Sequence, residues 1–195
     1  MPNPVYYDKR ADFWKKHYEM ALTYEEYLKE YHEKAERWTE FEPRIPNLTK
    51  EQIKRVQGYN REINILTMVG IWCGDCVRQL PMIKKIVMSA GEKVNLRLIE
   101  RETSPDLMEE LRIIGAGRVP IVVFLTEDFW EISRIGDRLL SVYRAKAARE
   151  IGLDYDAGIM TSNALTTELD GWVNEFERVL LMARLSPPLR MRYND

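Results

Sequence analysis

Residues 63–90 read INILTMVGIWCGDCVRQLPMIKKIVMSA, and their patterning decides the fold. The first part, 63–71, is apolar and rich in branched residues, which suits a buried strand. From Asp75 to residue 90 the pattern changes. Val77, Leu80, Ile83, Ile86 and Val87 recur every three or four positions, the spacing of a helix that buries one face. Gly91 is placed to close that helix. Cys73, Gly74, Asp75 and Cys76 therefore span the turn from a strand into a helix.

That placement has a chemical consequence. Unpaired amides and the helix dipole stabilise a thiolate at a helix N-terminus, lowering the first cysteine's pKa toward neutral. Cys73 is the candidate nucleophile. Cys76, one turn further on, can attack a mixed disulfide formed at Cys73, which makes it the candidate resolving thiol. These are the only cysteines in the chain. A bridge between them would close too small a loop to constrain the unfolded chain much, and clustered cysteines are not how secreted scaffolds distribute their staples.

Working outward toward the C-terminus, Val94–Glu100 reads as a strand, 104–114 as a helix with Pro105 in its first turn, and 119–125 as a strongly apolar strand. Residues 130–135 follow after the short TEDF connection, too close for a crossover helix, so they form a hairpin partner and the sheet is mixed. Helices are expected at 138–150 and 166–185. The stretch GLDYDAGIMTSN (152–163) separates them, and a Pro-Pro stop and basic tail follow.

Toward the N-terminus, 12–20 and 23–39 are charged segments in which Tyr24, Tyr27, Leu28 and Tyr31 recur at helical spacing, predicting two helices. Thr23 with Glu26 forms a capping box, and Pro43 and Pro46 supply a stop. Thr49 with Gln52 opens a short helix to about residue 59. The expected organisation is a helical extension over 1–47, a domain over 48–186 and a tail over 187–195.

The segment Trp72-Cys73-Gly74-Asp75-Cys76 resembles the Trp-Cys-Gly-Pro-Cys active site of the thioredoxin family. Pro81, the Val119-Pro120 pair opening a strand, and Gly136 also match that family's spacing, over roughly 49–136. The resemblance implies an α/β, thioredoxin-like three-layer fold with a central mixed sheet, here carrying an N-terminal helical extension. It implies a cis peptide bond before Pro120 and a loop in which Val119 and Pro120 dock the substrate backbone. Trp72 would shield the thiols and contact the partner.

Two departures stand out. The family's buried aspartate, six residues before the first cysteine, corresponds to Thr67, and its lysine partner to Leu98. Asp75 replaces the family's proline. Its carboxylate could deprotonate Cys76 through water, oppose thiolate formation by repulsion, or serve as a surface acid in a helix's first turn. Asp75 and Gly74 are accordingly candidate modulators of the thiol pair.

The formal net charge of −2 offers no basic footprint for nucleic acid or an anionic membrane. The most apolar windows, 65–71 and 119–125, are far short of the roughly 20 residues that span a bilayer. The N-terminal segment lacks the basic start and apolar stretch of a secretory signal, favouring a cytoplasmic address. No cofactor or metal is called for: one CxxC pair supplies only half of a tetrahedral zinc or iron site. His17 and His32 read as solvated surface residues. The extension's aromatics, with Trp38, read as packing against the domain, with partner docking as the alternative.

The expected activity is cytosolic disulfide reduction through a mixed disulfide at Cys73. The partners would be a disulfide-containing protein or small disulfide and, by resemblance, thioredoxin reductase or another dithiol reductant. The competing reading is a redox-inert binding module built on the same fold.

Overall fold

The computed structural model describes residues 7–152 and 163–194. Most of the stretch predicted to separate the last two long helices, residues 153–162, lies outside the described residues.

The sheet follows from its most apolar segment. β1 (Ile63–Val69) is buried at every position, as a strand covered on both faces must be. It pairs in parallel with β2 (Val94–Glu100) and antiparallel with β3 (Ile121–Leu125), which pairs antiparallel with β4 (Glu131–Gly136). The order is β2-β1-β3-β4, the mixed sheet expected from the short TEDF connection. Gly136 is required at its place because a Cβ there would lie 2.8 Å from Ile121 Cγ1 and 3.0 Å from Ile113 Cδ1.

Register assigns the layers, since directly opposed residues project to the same side of a sheet. Arg97, Leu66, Val123 and Arg134 stand opposite one another across the four strands. On their side lies α1 (Ala11–Met20): Arg134 stacks over Trp14 and Arg97 over Tyr18. The neighbouring row, Leu96, Ile65, Phe124 and Ser133, faces α8 (Ala164–Leu185), where Phe124 meets Phe176 edge-on at 5.3 Å. α4 (Lys50–Val56) and α5 (Gly74–Ala90) pack with α8 on that second face. Helix, sheet, helix is the three-layer arrangement the family resemblance implied.

Both predicted capping boxes form. Thr23 opens α2 (Tyr24–Glu30) and Thr49 opens α4, each with reciprocal bonds to the residue three positions on. The single helix expected over 23–39 is instead broken. After α2 comes a 3-10 turn at His32–Lys34 and then α3 (Glu36–Phe41). The break falls where no buried side chain anchors a helical turn to the core.

Three further expectations are corrected. The helix expected over 104–114 is confined to α6 (Pro105–Glu110), and Ile114 beyond it takes a positive φ of 51°. His17 is fully buried, because it shares the inward face of α1 with Trp14 and Tyr18. Its Nε2 lies 3.1 Å from Asp106 and its Nδ1 2.9 Å from the Phe13 carbonyl. His32 is exposed, as expected. The Pro-Pro pair ends α8 but also starts a helix, α9 (Pro187–Tyr193), since proline is suited to a first turn that needs no donor. The remaining helix, α7 (Leu140–Ile151), follows β4. No described helix is long and apolar enough to cross a membrane.

Candidate active site

Cys73 is the N-cap of α5, so the first turn's amides point toward its sulfur. Both cysteines are free thiols, and they approach to 3.5 Å. Cys73 is 7% exposed and Cys76 wholly buried. As a thiol, Cys73 donates to the Val119 carbonyl at 3.5 Å.

The two thiols are driven apart in acidity. A hydrogen bond from Cys76 to the Cys73 sulfur, helped by the amides of Cys76 and Asp75, outweighs burial and lowers the Cys73 pKa to about 6. The Asp75 charge works against that lowering. Burial, together with the bond to Cys73, pushes Cys76 well above the ordinary thiol range. One thiol is thus ionised near neutrality while its neighbour holds its proton.

The remaining sequence-predicted residues surround this pair. The Val119–Pro120 peptide is cis, and its Val119 carbonyl is the group facing the Cys73 sulfur. Trp72 is 47% exposed. Its indole folds back over Gly70, where a Cβ would meet Cε2 at 2.9 Å, and Arg101 lies 4.8 Å above the ring. Arg101 also donates to the Gly117 carbonyl at 2.9 Å, joining the tryptophan to the loop that leads into Pro120. At Gly74 a Cβ would lie 3.5 Å from Arg37 Nη2. Asp75 pairs with Arg138, which also binds Asp137 at 3.0 Å.

Thr67 and Leu98 stand directly opposite each other in β1 and β2, and both are fully buried. Thr67 Oγ1 has no hydrogen-bond partner among the described residues. A different acid holds the segment that leads into the thiols. Glu100, at the end of β2, is 7% exposed, accepts the Ile71 N–H at 3.0 Å and receives the Tyr27 hydroxyl. Burial, reinforced by a hydrogen bond with Glu102, raises its pKa to about 7 despite the bonds from Tyr27 and Ile71.

Sequence reasoning placed Tyr27 in an apolar stripe, read Trp38 as packing against the domain, and gave Glu100, Arg37 and Arg138 no role. The structure brings all five to the loop around Cys73. Trp38 Nε1 donates to the Ile71 carbonyl at 2.9 Å, and Arg37 donates to the Trp72 carbonyl at 3.3 Å. Tyr24, Tyr27 and Trp38 are buried, with Tyr27 and Trp38 ring centroids 5.7 Å apart, so these aromatics serve packing. Nothing in the spacing of a strand-terminal glutamate would have singled out Glu100.

A family model described as Thioredoxin matches residues 21–149. Among solved structures, the chain is similar to a protein of unknown function from Pseudomonas aeruginosa. That structure is 18% identical, with a TM-score of 0.60 over 85% of this chain and 95% of the other. An HIV epitope scaffold is similar at 17% identity and a TM-score of 0.61, covering 85% of this chain and 96% of its own. Likeness at such identity speaks to the fold alone. No curated protein matches the chain by sequence.

Proposed function

The chain belongs to the thioredoxin family, and from that membership we propose that it is a thiol–disulfide oxidoreductase acting as a disulfide reductase. The observation that carries the reading is a pair of free thiols 3.5 Å apart, with Cys73 capping α5 beside the carbonyl of the cis Val119–Pro120 peptide; a Cys73 pKa lowered to about 6 beside a protonated Cys76 accords with it.

In the proposed reaction the Cys73 thiolate attacks one sulfur of a target disulfide, forming a mixed disulfide and expelling the other sulfur as a thiolate. Cys76 then loses its proton and attacks the Cys73 sulfur, releasing the second target thiolate. The target gains two electrons and two protons, and Cys73 and Cys76 end as a disulfide. A dithiol reductant, thioredoxin reductase or another, restores the pair.

Target chemistry is a disulfide in a protein or small molecule. Val119 and Pro120 would lie against its backbone beside Cys73, with Trp72 at the solvent-facing edge. A reducing cytosol suits this direction of transfer. The proposed organisation keeps residues 1–47 as an extension of a domain over 48–186, with 187–195 as its tail.

The test is insulin reduction in the presence of dithiothreitol by wild type and by Cys73→Ser. Acceleration by wild type that vanishes in the variant supports the reading. A wild type no faster than the uncatalysed rate would overturn general reductase activity.

A further inference from the structure

The peptide of Ile71, two residues before the nucleophile candidate, is held on both sides. Its N–H is bound by Glu100 at 3.0 Å and its carbonyl by Trp38 at 2.9 Å. Glu100 Oε2 is simultaneously bound by the Tyr27 hydroxyl, and Tyr27 and Trp38 are both fully buried. The next carbonyl, that of Trp72, accepts from Arg37. Three of these four side chains come from α2 and α3. The loop that presents Cys73 is therefore built partly by the N-terminal helices.

A buried peptide would be satisfied by neutral partners, so an acid at this place demands a reason. Ionised glutamate is costly away from water unless several donors converge on it, and Glu100 has two, one of them the loop's own amide. Tyr27 is also within electrostatic reach of Cys76, because ionisation of that thiol would raise the tyrosine's pKa. The chain of contacts thus runs from α2 through Glu100 to the loop.

We propose that Tyr27 and Glu100 are positioning residues for disulfide exchange: with Trp38 they fix the Ile71 peptide, making the N-terminal helices a working part of the redox centre. This inference rests on the exchange reading above. The groups around Glu100 are Tyr27 from α2, Tyr31 at that helix's C-cap, Glu102 from the turn after β2, and the Ile71 amide from the loop.

The experiment compares wild type with Glu100→Gln, which keeps the shape and removes the charge, and Tyr27→Phe, which removes one hydroxyl. Two quantities are read beside thermal stability: the equilibrium of the cysteine pair with glutathione, and the pH profile of Cys73 alkylation. Above about pH 7, where Glu100 is ionised, loss of its charge favours the thiolate and so the reduced pair. At about pH 8 Glu100→Gln should move the equilibrium about tenfold toward the dithiol, roughly 30 mV for a two-electron couple. Its alkylation profile should lose the inflection near pH 7 that titration of the carboxyl gives wild type.

Tyr27→Phe should move the glutamate-dependent part of the profile upward in pH, because the lost hydroxyl stabilised the carboxylate. Variants that match wild type in both quantities, whether or not their melting temperature changes, would overturn the inference. Should Glu100→Gln fail to fold, Tyr27→Phe decides by the same readings. Alkylation needs no disulfide substrate. A wild type that fails to exchange would therefore overturn the reductase reading, while the alkylation profiles still decide the role of Glu100.

Discussion

Asp75 and Arg138 form an ion pair that ties the first turn of α5 to the segment leaving β4, with only 26% and 19% of their side chains exposed. Arg138 holds Asp137 as well, so the acid between the two cysteines is anchored to the far end of the sheet. The pair keeps a negative charge beside a sulfur that works as an anion. Asp75→Asn should lower the Cys73 pKa further, since the aspartate charge opposes the thiolate. Alkylation followed against pH should show its midpoint below that of wild type, and an unchanged midpoint would remove Asp75 from the site.

The Cys73 thiol itself should react with iodoacetamide along a curve rising through about pH 6. At pH 6 an ordinary thiol of pKa about 8.5 is only ~0.3% ionised, a deficit on the order of a hundredfold. Lower basicity also reduces intrinsic nucleophilicity, with a Brønsted slope of about 0.4–0.5, so the net advantage should be about tenfold. A curve rising near pH 8.5 would contradict the assignment.

Cys76→Ser should leave the first attack intact and abolish resolution. The expected product with a disulfide substrate is a stable adduct at Cys73, detected as a mass increase that dithiothreitol reverses. Cys73→Ser should form no such adduct. If Cys76→Ser turned over like wild type, the resolving role would be refuted.

Gly70→Ala should disturb Trp72, because the new methyl would stand 2.9 Å from the indole. Overpacking of this kind costs about 1–3 kcal/mol when the neighbour cannot move. Trp72 is half-exposed and can swing outward, so the stability loss should fall at the low end. The clearer signature should be altered quenching of tryptophan fluorescence, together with slower insulin reduction.

Glu100 gives stability a pH dependence of definite sign. Its folded-state pKa, about 7, lies above the ordinary 4.5. Such a group favours the native state below its unfolded value and loses that contribution as pH rises through its folded value. Urea midpoints of wild type should therefore fall between about pH 5 and pH 8 more steeply than those of Glu100→Gln. Parallel curves would show that the carboxyl is not perturbed.

Much of this architecture was legible because local signals agreed. The strand at 63–69, the helix from Gly74 to Ala90 and the two threonine capping boxes each combine periodicity with a boundary residue. The thiol pair was legible for the same reason, being fixed by a strand-to-helix turn. His17 was misread because its charged sequence neighbours Lys15, Lys16 and Glu19 say nothing of the inward face it shares with Trp14. Glu100 was missed because its role depends on Tyr27, 73 residues away in sequence. Contacts of that range are made by the tertiary fold and leave no spacing to read.

Leu22 joins Leu98 through two backbone hydrogen bonds of 2.9 and 2.7 Å, a lone bridge on the outer side of β2. A strand at the margin of a sheet ordinarily offers free donors and acceptors to any extended chain that drifts against it. Here the polypeptide's own earlier residues occupy those groups midway along the strand. A foreign strand aligned with β2 would first have to displace that segment, and with it the entry to α2. A strand added there would compete with bonds the fold already makes, at the margin closest to Glu100.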